Sequence, residues 1–313
     1  MIDTKDFEQL TVKNRALAKE IGELKKVRNA VILAHNYQRP EVQDAADFVG
    51  DSLELSRKAT QVEADVIVFC GVHFMAESAA ILNPARTVLL PEIAAGCPLA
   101  ETIDVEDLRA WKARYPDAAV VCYVNSSAAV KAESDVCCTS ANALKVVESL
   151  PNSRILFVPD QNLGHFVSRQ TKKEIIRYPG ACVTHERLTP EHVVEAKKAY
   201  PGASVVVHPE CVPDVVDLAD AVLSTSQMLR YVRESSAEVF LIGTESGLLH
   251  RMTLENPNKK FFVISRALMC PNMKRTHLGS VLGALRENRY VISLDEETRL
   301  AAKRALDRML EIL

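Results

Sequence analysis

Short runs of consecutive apolar residues alternate along the chain with longer stretches whose apolar positions recur at helical spacing. The clearest runs are Val31-Ile32-Leu33-Ala34, Val66-Ile67-Val68-Phe69, Val120-Val121-Cys122-Tyr123, Ile155-Leu156-Phe157-Val158, Val205-Val206-Val207 and Val239-Phe240-Leu241-Ile242. Being apolar at successive positions, they need cover on both faces, which is the signature of strands in a parallel sheet flanked by crossover helices. A leading helix is expected from about Asp6 to Val27. A closing amphipathic helix is expected from Glu296 to Leu313, where Leu300, Ala301, Ala305, Met309 and Leu310 share a face. The class is α/β.

The pattern also repeats. Lys112, Tyr115, Pro116, Ala118, Val120 and Val121 recur 85 residues later as Lys197, Tyr200, Pro201, Ala203, Val205 and Val206. The first strands end near Asn36, Asn125 and Glu210, the second near Ser52, Ser140 and Thr225, and the third near Gly71, Asp160 and Glu245. The separations are 88 or 89 residues and then 85. Three pseudo-symmetric three-layer αβα units follow, each with a four-stranded, mostly parallel sheet, at residues 1–103, 104–188 and 189–285. Residues 286–313 form a strand and helix that pack back on the body. Ligands of such sheets bind beyond the carboxyl ends of the strands. Packed around a pseudo-threefold axis, the units would bring equivalent loops to one central site.

Composition narrows the classes of function. The 313 residues carry 38 Lys+Arg against 41 Asp+Glu, a net charge of −3, and 48% are hydrophobic. Disorder is excluded, and there is no basic footprint for nucleic acid or an anionic membrane. The charged start Met1-Ile2-Asp3-Thr4-Lys5-Asp6 is unlike a signal peptide, and no apolar run approaches the roughly 18 residues of a membrane span. A cytoplasmic protein is expected, whose 8 cysteines stay reduced and serve metal, catalysis or core filling.

The repeat selects among those cysteines. The loop after each fourth strand holds Cys97, Cys182 or Cys270, at separations of 85 and 88, so three thiolates could meet on the axis. Cys70, Cys122, Cys137 and Cys138 fall within strands and read as small core residues. Cys211, on a strand end near the presumed site, reads mainly as packing. Three thiolates without a Cys-x-x-Cys pair suit a [4Fe–4S] cluster with one iron left open for substrate. A catalytic zinc competes, favoured by the local pair Cys182-x-x-His185.

The first strands deliver His35-Asn36-Tyr37, Tyr123-Val124-Asn125 and His208-Pro209-Glu210 to the same face, a set suited to proton transfer and orientation of substrate. The second strands lead through Ser52, Ser140 and Thr225 into helix N-termini, which favour an anionic substrate.

Six motifs in order, Ala34-His35-Asn36-Tyr37-Gln38, Gly50-Asp51-Ser52-Leu53, Tyr123-Val124-Asn125-Ser126, Thr139-Ser140-Ala141-Asn142, His208-Pro209-Glu210-Cys211 and Cys270-Pro271-Asn272-Met273-Lys274, resemble the quinolinate synthase family. The likeness runs from about Val31 to Arg289. It departs around Cys182, which lacks the His-Cys-Pro of many members, and at Ser226, where Gly is common. The resemblance implies three domains about a pseudo-threefold axis and an oxygen-sensitive [4Fe–4S] cluster on Cys97, Cys182 and Cys270. It implies condensation of iminoaspartate with dihydroxyacetone phosphate to quinolinate, with loss of phosphate and water, in NAD biosynthesis, and an L-aspartate oxidase as supplier of the imine. Carried over, His35 and Tyr37 stand near the triose, and Ser52, Ser140 and Thr225 face anionic groups. Tyr123 and Asn125 orient substrate, His208 and Glu210 are acid/base candidates, and Met273 lines the site. The rival readings are a zinc hydrolase and a sensor that uses its cluster as an oxygen or iron switch.

Overall fold

The computed structural model describes residues 4–312. Met1 to Asp3, which the sequence reading puts in the first unit, and Leu313 of the closing helix lie outside the described residues. Among the described residues, twelve strands form three four-stranded sheets. The first contains β1 (Ala30–His35), β2 (Phe48–Gly50), β3 (Val66–Cys70) and β4 (Thr87–Leu89). The second contains β5 (Ala119–Tyr123), β6 (Val136–Cys138), β7 (Arg154–Val158) and β8 (Glu174–Arg177). The third contains β9 (Ser204–Val207), β10 (Ala221–Val222), β11 (Val239–Gly243) and β12 (Lys260–Val263). All six predicted runs lie in these strands. The sheets are wholly parallel, where a mostly parallel arrangement was expected.

Each sheet has the same strand order, β2-β1-β3-β4, β6-β5-β7-β8 and β10-β9-β11-β12. The chain leaves the first strand of a unit to one side and returns for the third on the other. The direction of winding therefore reverses between them, opening a crevice at the carboxyl ends of that pair.

The repeat persists in single hydrogen bonds. Asp47, Asp135 and Asp220, each near the start of a second strand, accept through Oδ2 from the backbone N–H of Ile32, Val120 and Val205, at 2.7 Å in all three units. Each also donates its own N–H to the same residue's carbonyl. The carboxylate thus satisfies a backbone donor that the short second strand does not reach. Likewise His73, Gln161 and Ser246 donate their N–H to the carbonyls of Ala95, Gly180 and Leu268, two residues before Cys97, Cys182 and Cys270. This pattern aligns Val72, rather than Gly71, with Asp160 and Glu245.

Alternate residues of the first sheet separate two cores. Leu33, Ile67 and Phe69 join a large cluster with Val121 and Phe157 of the second sheet and Phe240 and Ile242 of the third. Ile32, Val66 and Val68 face the other way. They are covered by Ile21 of the helix Thr4–Val27 and by Leu278, Val281, Leu282 and Leu285 of the helix Leu278–Glu287. That second helix follows the third sheet in sequence yet packs on the first. It ends at Asn288, in the left-handed conformation with φ 56°, a backbone geometry that asparagine tolerates better than most residues. The chain then pairs antiparallel with the edge of the first sheet, through Leu90 with Tyr290 and Val88 with Ile292. The helix Glu296–Glu311 buries Ala302, Ala305, Leu306 and Met309 against β6 and the helix Ala128–Ala132 of the second unit. Among the described residues no helix is long and apolar enough to cross a membrane.

Candidate active site and metal centre

The carboxyl ends of the three sheets converge on one cavity of about 790 Å³, its mouth included. Its wall contains His35, Tyr37, Ser52 and Cys97 from the first unit; Tyr123, Asn125, Ser140 and Cys182 from the second; and His208, Glu210, Thr225, Cys270 and Met273 from the third, whereas Asn36, between His35 and Tyr37, does not line it. The wall contains no Lys or Arg among the described residues. An anion there would have to be held by hydroxyls, imidazole or backbone N–H groups, or a metal.

Two corners share one local turn. The backbone N–H of Tyr37 donates to His35 Nδ1 at 3.1 Å, and that of Glu210 donates to His208 Nδ1 at 3.3 Å. A ring nitrogen that accepts carries no proton, so each neutral imidazole keeps its proton on Nε2. His208 Nε2 then donates to Ser140 Oγ at 3.2 Å. Burial and the nearby Lys274 ammonium lower the His35 pKa to about 3, against the opposing pull of Glu210. Burial likewise lowers His208 to about 3. Both rings are neutral donors at physiological pH.

Between these corners runs a continuous chain of hydrogen bonds. Tyr37 Oη lies 2.6 Å from Thr244 Oγ1 and 3.1 Å from Thr225 Oγ1. Thr244 Oγ1 is 2.9 Å from His185 Nε2. His185 Nδ1 is 2.6 Å from Glu210 Oε2, and Glu210 Oε1 accepts from Tyr123 Oη at 2.6 Å. Residues of all three units are therefore linked in one buried network. Burial would push the Glu210 carboxyl up, but His185, His208 and the Tyr123 hydroxyl hold it down, to about 2. Burial and the Glu210 charge raise both tyrosines well above their ordinary range. Glu210 is thus the ionised base of the network and the tyrosines are its neutral donors.

Sequence reasoning did not include Thr244, and it noticed His185 only as a neighbour of Cys182. No periodicity marks Thr244. Its position directly after β11, at the end of a third strand, is the signal that could have found it.

Cys97, Cys182 and Cys270 each come from the loop after a fourth strand and all line the cavity. Two of the loops are held by a buried carboxylate at the end of the third strand. Asp160 Oδ2 accepts from the Cys182 N–H at 3.2 Å and Glu245 Oε1 from the Cys270 N–H at 3.0 Å. Val72 occupies the equivalent place in the first unit and offers no acceptor. Lys274 is 3.0 Å from the Glu245 carboxylate and also donates to Tyr37 O, tying this loop to the first unit. Burial raises all three thiols, Cys97 to about 12. Ionising three neighbouring half-buried thiols calls for a cation. Three thiolates brought to one cavity by three separate loops, with no Cys-x-x-Cys pair among them, suit a cluster in which each takes its own iron. The donor set therefore fits a [4Fe–4S] cluster with three protein thiolates.

The remaining cysteines are buried. Cys70, Cys122, Cys137 and Cys138 are sealed within strands, and Cys211 packs in the core of the third sheet, its thiol donating to the Gly243 carbonyl. None of the five lines the cavity.

The helix N-termini differ in what they leave free. Asp51 Oδ1 accepts from the N–H groups of Leu53 and Glu54, and Ser226 Oγ donates to Asp51 Oδ2. The Ser52 helix thus already carries a carboxylate at its start. Asn125 Oδ1 is buried without a hydrogen-bond partner, an orphan acceptor on the cavity wall of the kind that a ligand N–H or O–H satisfies.

Residues 19–311 match the family profile described as "NadA: Quinolinate synthetase A protein". Similar chains include the quinolinate synthase of Thermodesulfovibrio yellowstonii, 59% identical over 295 residues that cover 94% of this chain and 97% of that one. The quinolinate synthase of Dehalococcoides mccartyi is 57% identical over 296 residues, 95% of this chain and 98% of its own. That of Geobacter sp. M21 is 57% identical over 296 residues, 95% and 97%.

Proposed function

The chain is an enzyme of the quinolinate synthetase A family, and from that premise we propose that its central cavity condenses iminoaspartate with dihydroxyacetone phosphate to quinolinate in NAD biosynthesis. Atom balance requires the release of inorganic phosphate and two molecules of water. The observation that carries the reading is the meeting, in one cavity, of three cysteine loops and a buried acid/base network drawn from all three units.

Cys97, Cys182 and Cys270 would hold the [4Fe–4S] cluster. When bound, a cluster with one iron free of cysteine supplies a Lewis acid that polarises hydroxyl and carbonyl oxygens. The chain's own groups do the rest. His35 presents a neutral Nε2–H to an oxygen of the triose. Glu210, ionised, accepts a proton from carbon or nitrogen of the condensing fragments. The Tyr123 hydroxyl, already donating to Glu210 Oε1, can return a proton to a leaving hydroxyl. His185 and Thr244 connect Glu210 to Tyr37, so that a proton taken at one end can be delivered at the other. Ser140 and Thr225 supply hydroxyls, and the helix that begins at Thr225 supplies N-terminal N–H groups, for carboxylate and phosphate, whereas the helix after Ser140 begins only at Ala143. Asn125 Oδ1 is an acceptor for the substrate nitrogen. The two substrates would be held against one another by neutral histidine and tyrosine donors around the ionised Glu210. The unstable imine points to an L-aspartate oxidase as its supplier, and the chain is read as cytoplasmic.

Anaerobic turnover of in-situ generated iminoaspartate with dihydroxyacetone phosphate tests the reading. The chain should carry roughly four iron and four sulfide, lost on Cys97→Ser, Cys182→Ser or Cys270→Ser. Glu210→Gln should keep its iron and lose about 10²–10⁴-fold in rate. Unchanged turnover in Glu210→Gln overturns its acid/base role. A fully loaded chain that makes no quinolinate overturns the function.

A further inference from the structure

The cavity wall contains a second donor set beside the three cysteines. Cys182, His185 and Glu210 bring one sulfur, one nitrogen and one oxygen within 4.8 Å of one another. His185 Nδ1 is 3.2 Å from Cys182 Sγ and 2.6 Å from Glu210 Oε2. We propose that the cluster-free chain binds one divalent ion of the zinc class at Cys182, His185 and Glu210, and that this mononuclear site, by taking a thiol the cluster needs, blocks cluster assembly.

The geometry is close to what such an ion requires. Tetrahedral bonds of about 2.0 Å to nitrogen and oxygen and 2.3 Å to sulfur place donors roughly 3.3–3.7 Å apart. The two separations from His185 Nδ1, 3.2 and 2.6 Å, need to widen by less than about 1 Å. Cys182 caps the helix Val183–Glu186, and His185 follows one turn later on the same side, so one short element supplies two ligands. The third comes from the His208-Pro209-Glu210 turn of the next unit. Outer partners are in place. Thr244 Oγ1 lies at His185 Nε2 and leaves Nδ1 for the ion, while Tyr123 Oη fixes Glu210 Oε1 and leaves Oε2. Such partners orient metal ligands and strengthen binding. His185 and Glu210 are 2% and 3% exposed, and both line the cavity together with Cys182. One thiolate, one imidazole and one carboxylate favour zinc or cobalt over magnesium or calcium, which prefer oxygen alone. On binding, Cys182 loses its thiol proton to solvent. Cys97 and Cys270 take no part.

The site stands on its own geometry, and only the exclusion of the cluster rests on the functional reading above. The test is a titration of the full-length, cluster-free chain with Zn²⁺ and with Co²⁺ under anaerobic reducing conditions. One ion per chain is expected, with a thiolate-to-cobalt charge-transfer band. His185→Ala should weaken binding about 10–100-fold, whereas Cys97→Ser and Cys270→Ser should leave it unchanged. One equivalent of zinc should suppress reconstitution with iron and sulfide in the wild type but not in His185→Ala. X-ray absorption of the zinc-bound wild type needs no variant and should show one sulfur neighbour. Three sulfur neighbours, loss of binding in Cys97→Ser, or no binding at all overturns the site. Intact binding with unimpaired reconstitution overturns the exclusion alone.

Discussion

The two neutral histidines make the cavity a pH-dependent load on stability. His35 and His208 are fully enclosed, and each ring is lowered from 6.5 to about 3, chiefly by burial. The unfolded chain takes up these protons near pH 6.5, and the folded chain resists them until about pH 3. The associated stability is therefore complete above pH 6.5 and declines continuously as pH falls toward 3. At about pH 5 the solution is roughly 1.5 units below the unfolded pKa of each ring, a loss of about 2 kcal/mol per ring. Together the two rings cost about 4 kcal/mol between pH 7.5 and pH 5. Replacing one of them by a non-titrating residue should remove about half of that dependence. Urea denaturation of wild type and His35→Asn at both pH values, with thiols kept reduced, measures the two slopes. Nitrogen-15 spectra of labelled histidine should show the Nε2–H tautomer for both rings down to pH 5, as the Tyr37 and Glu210 N–H donors require. Equal losses in wild type and His35→Asn, or a His35 ring that becomes doubly protonated near pH 6, would refute the reasoning.

Other perturbations separate scaffold from site. Asp135→Ala removes the acceptor for the Val120 N–H and should cost about 1 kcal/mol with unchanged turnover, as read from a thermal midpoint beside an activity assay. Met309→Ala empties a fully buried position between the closing helix and the second unit. It should cost about 2–5 kcal/mol, seen as an earlier urea midpoint.

Much of the architecture was legible because each strand is apolar on both faces and each unit repeats the same strand ends. A period near 85 residues carried the three sheets, the three cysteine loops and the first-strand corners together. Other features depend on contacts between units, which a period cannot report. Thr244 and His185 matter through one another and through Glu210, and each alone looks ordinary. The helix Leu278–Glu287 has an evident apolar face, but nothing in its residues says which sheet it covers. The alignment of Val72 with Asp160 and Glu245 was hidden for a similar reason. The first unit lacks the carboxylate there, and only the His73, Gln161 and Ser246 hydrogen bonds reveal the equivalence.

The cover of the first sheet sets an order on synthesis. The last of the residues that bury Ile32, Val66 and Val68 begin at Leu278, 189 residues after β4 ends. At about 5–20 residues per second, the ribosome takes roughly 10–40 s to cross that interval. Throughout it, one face of the sheet made first has only the leading helix and the short helix Pro40–Ala45 for shelter. The sheet translated first is thus among the last to have both faces covered.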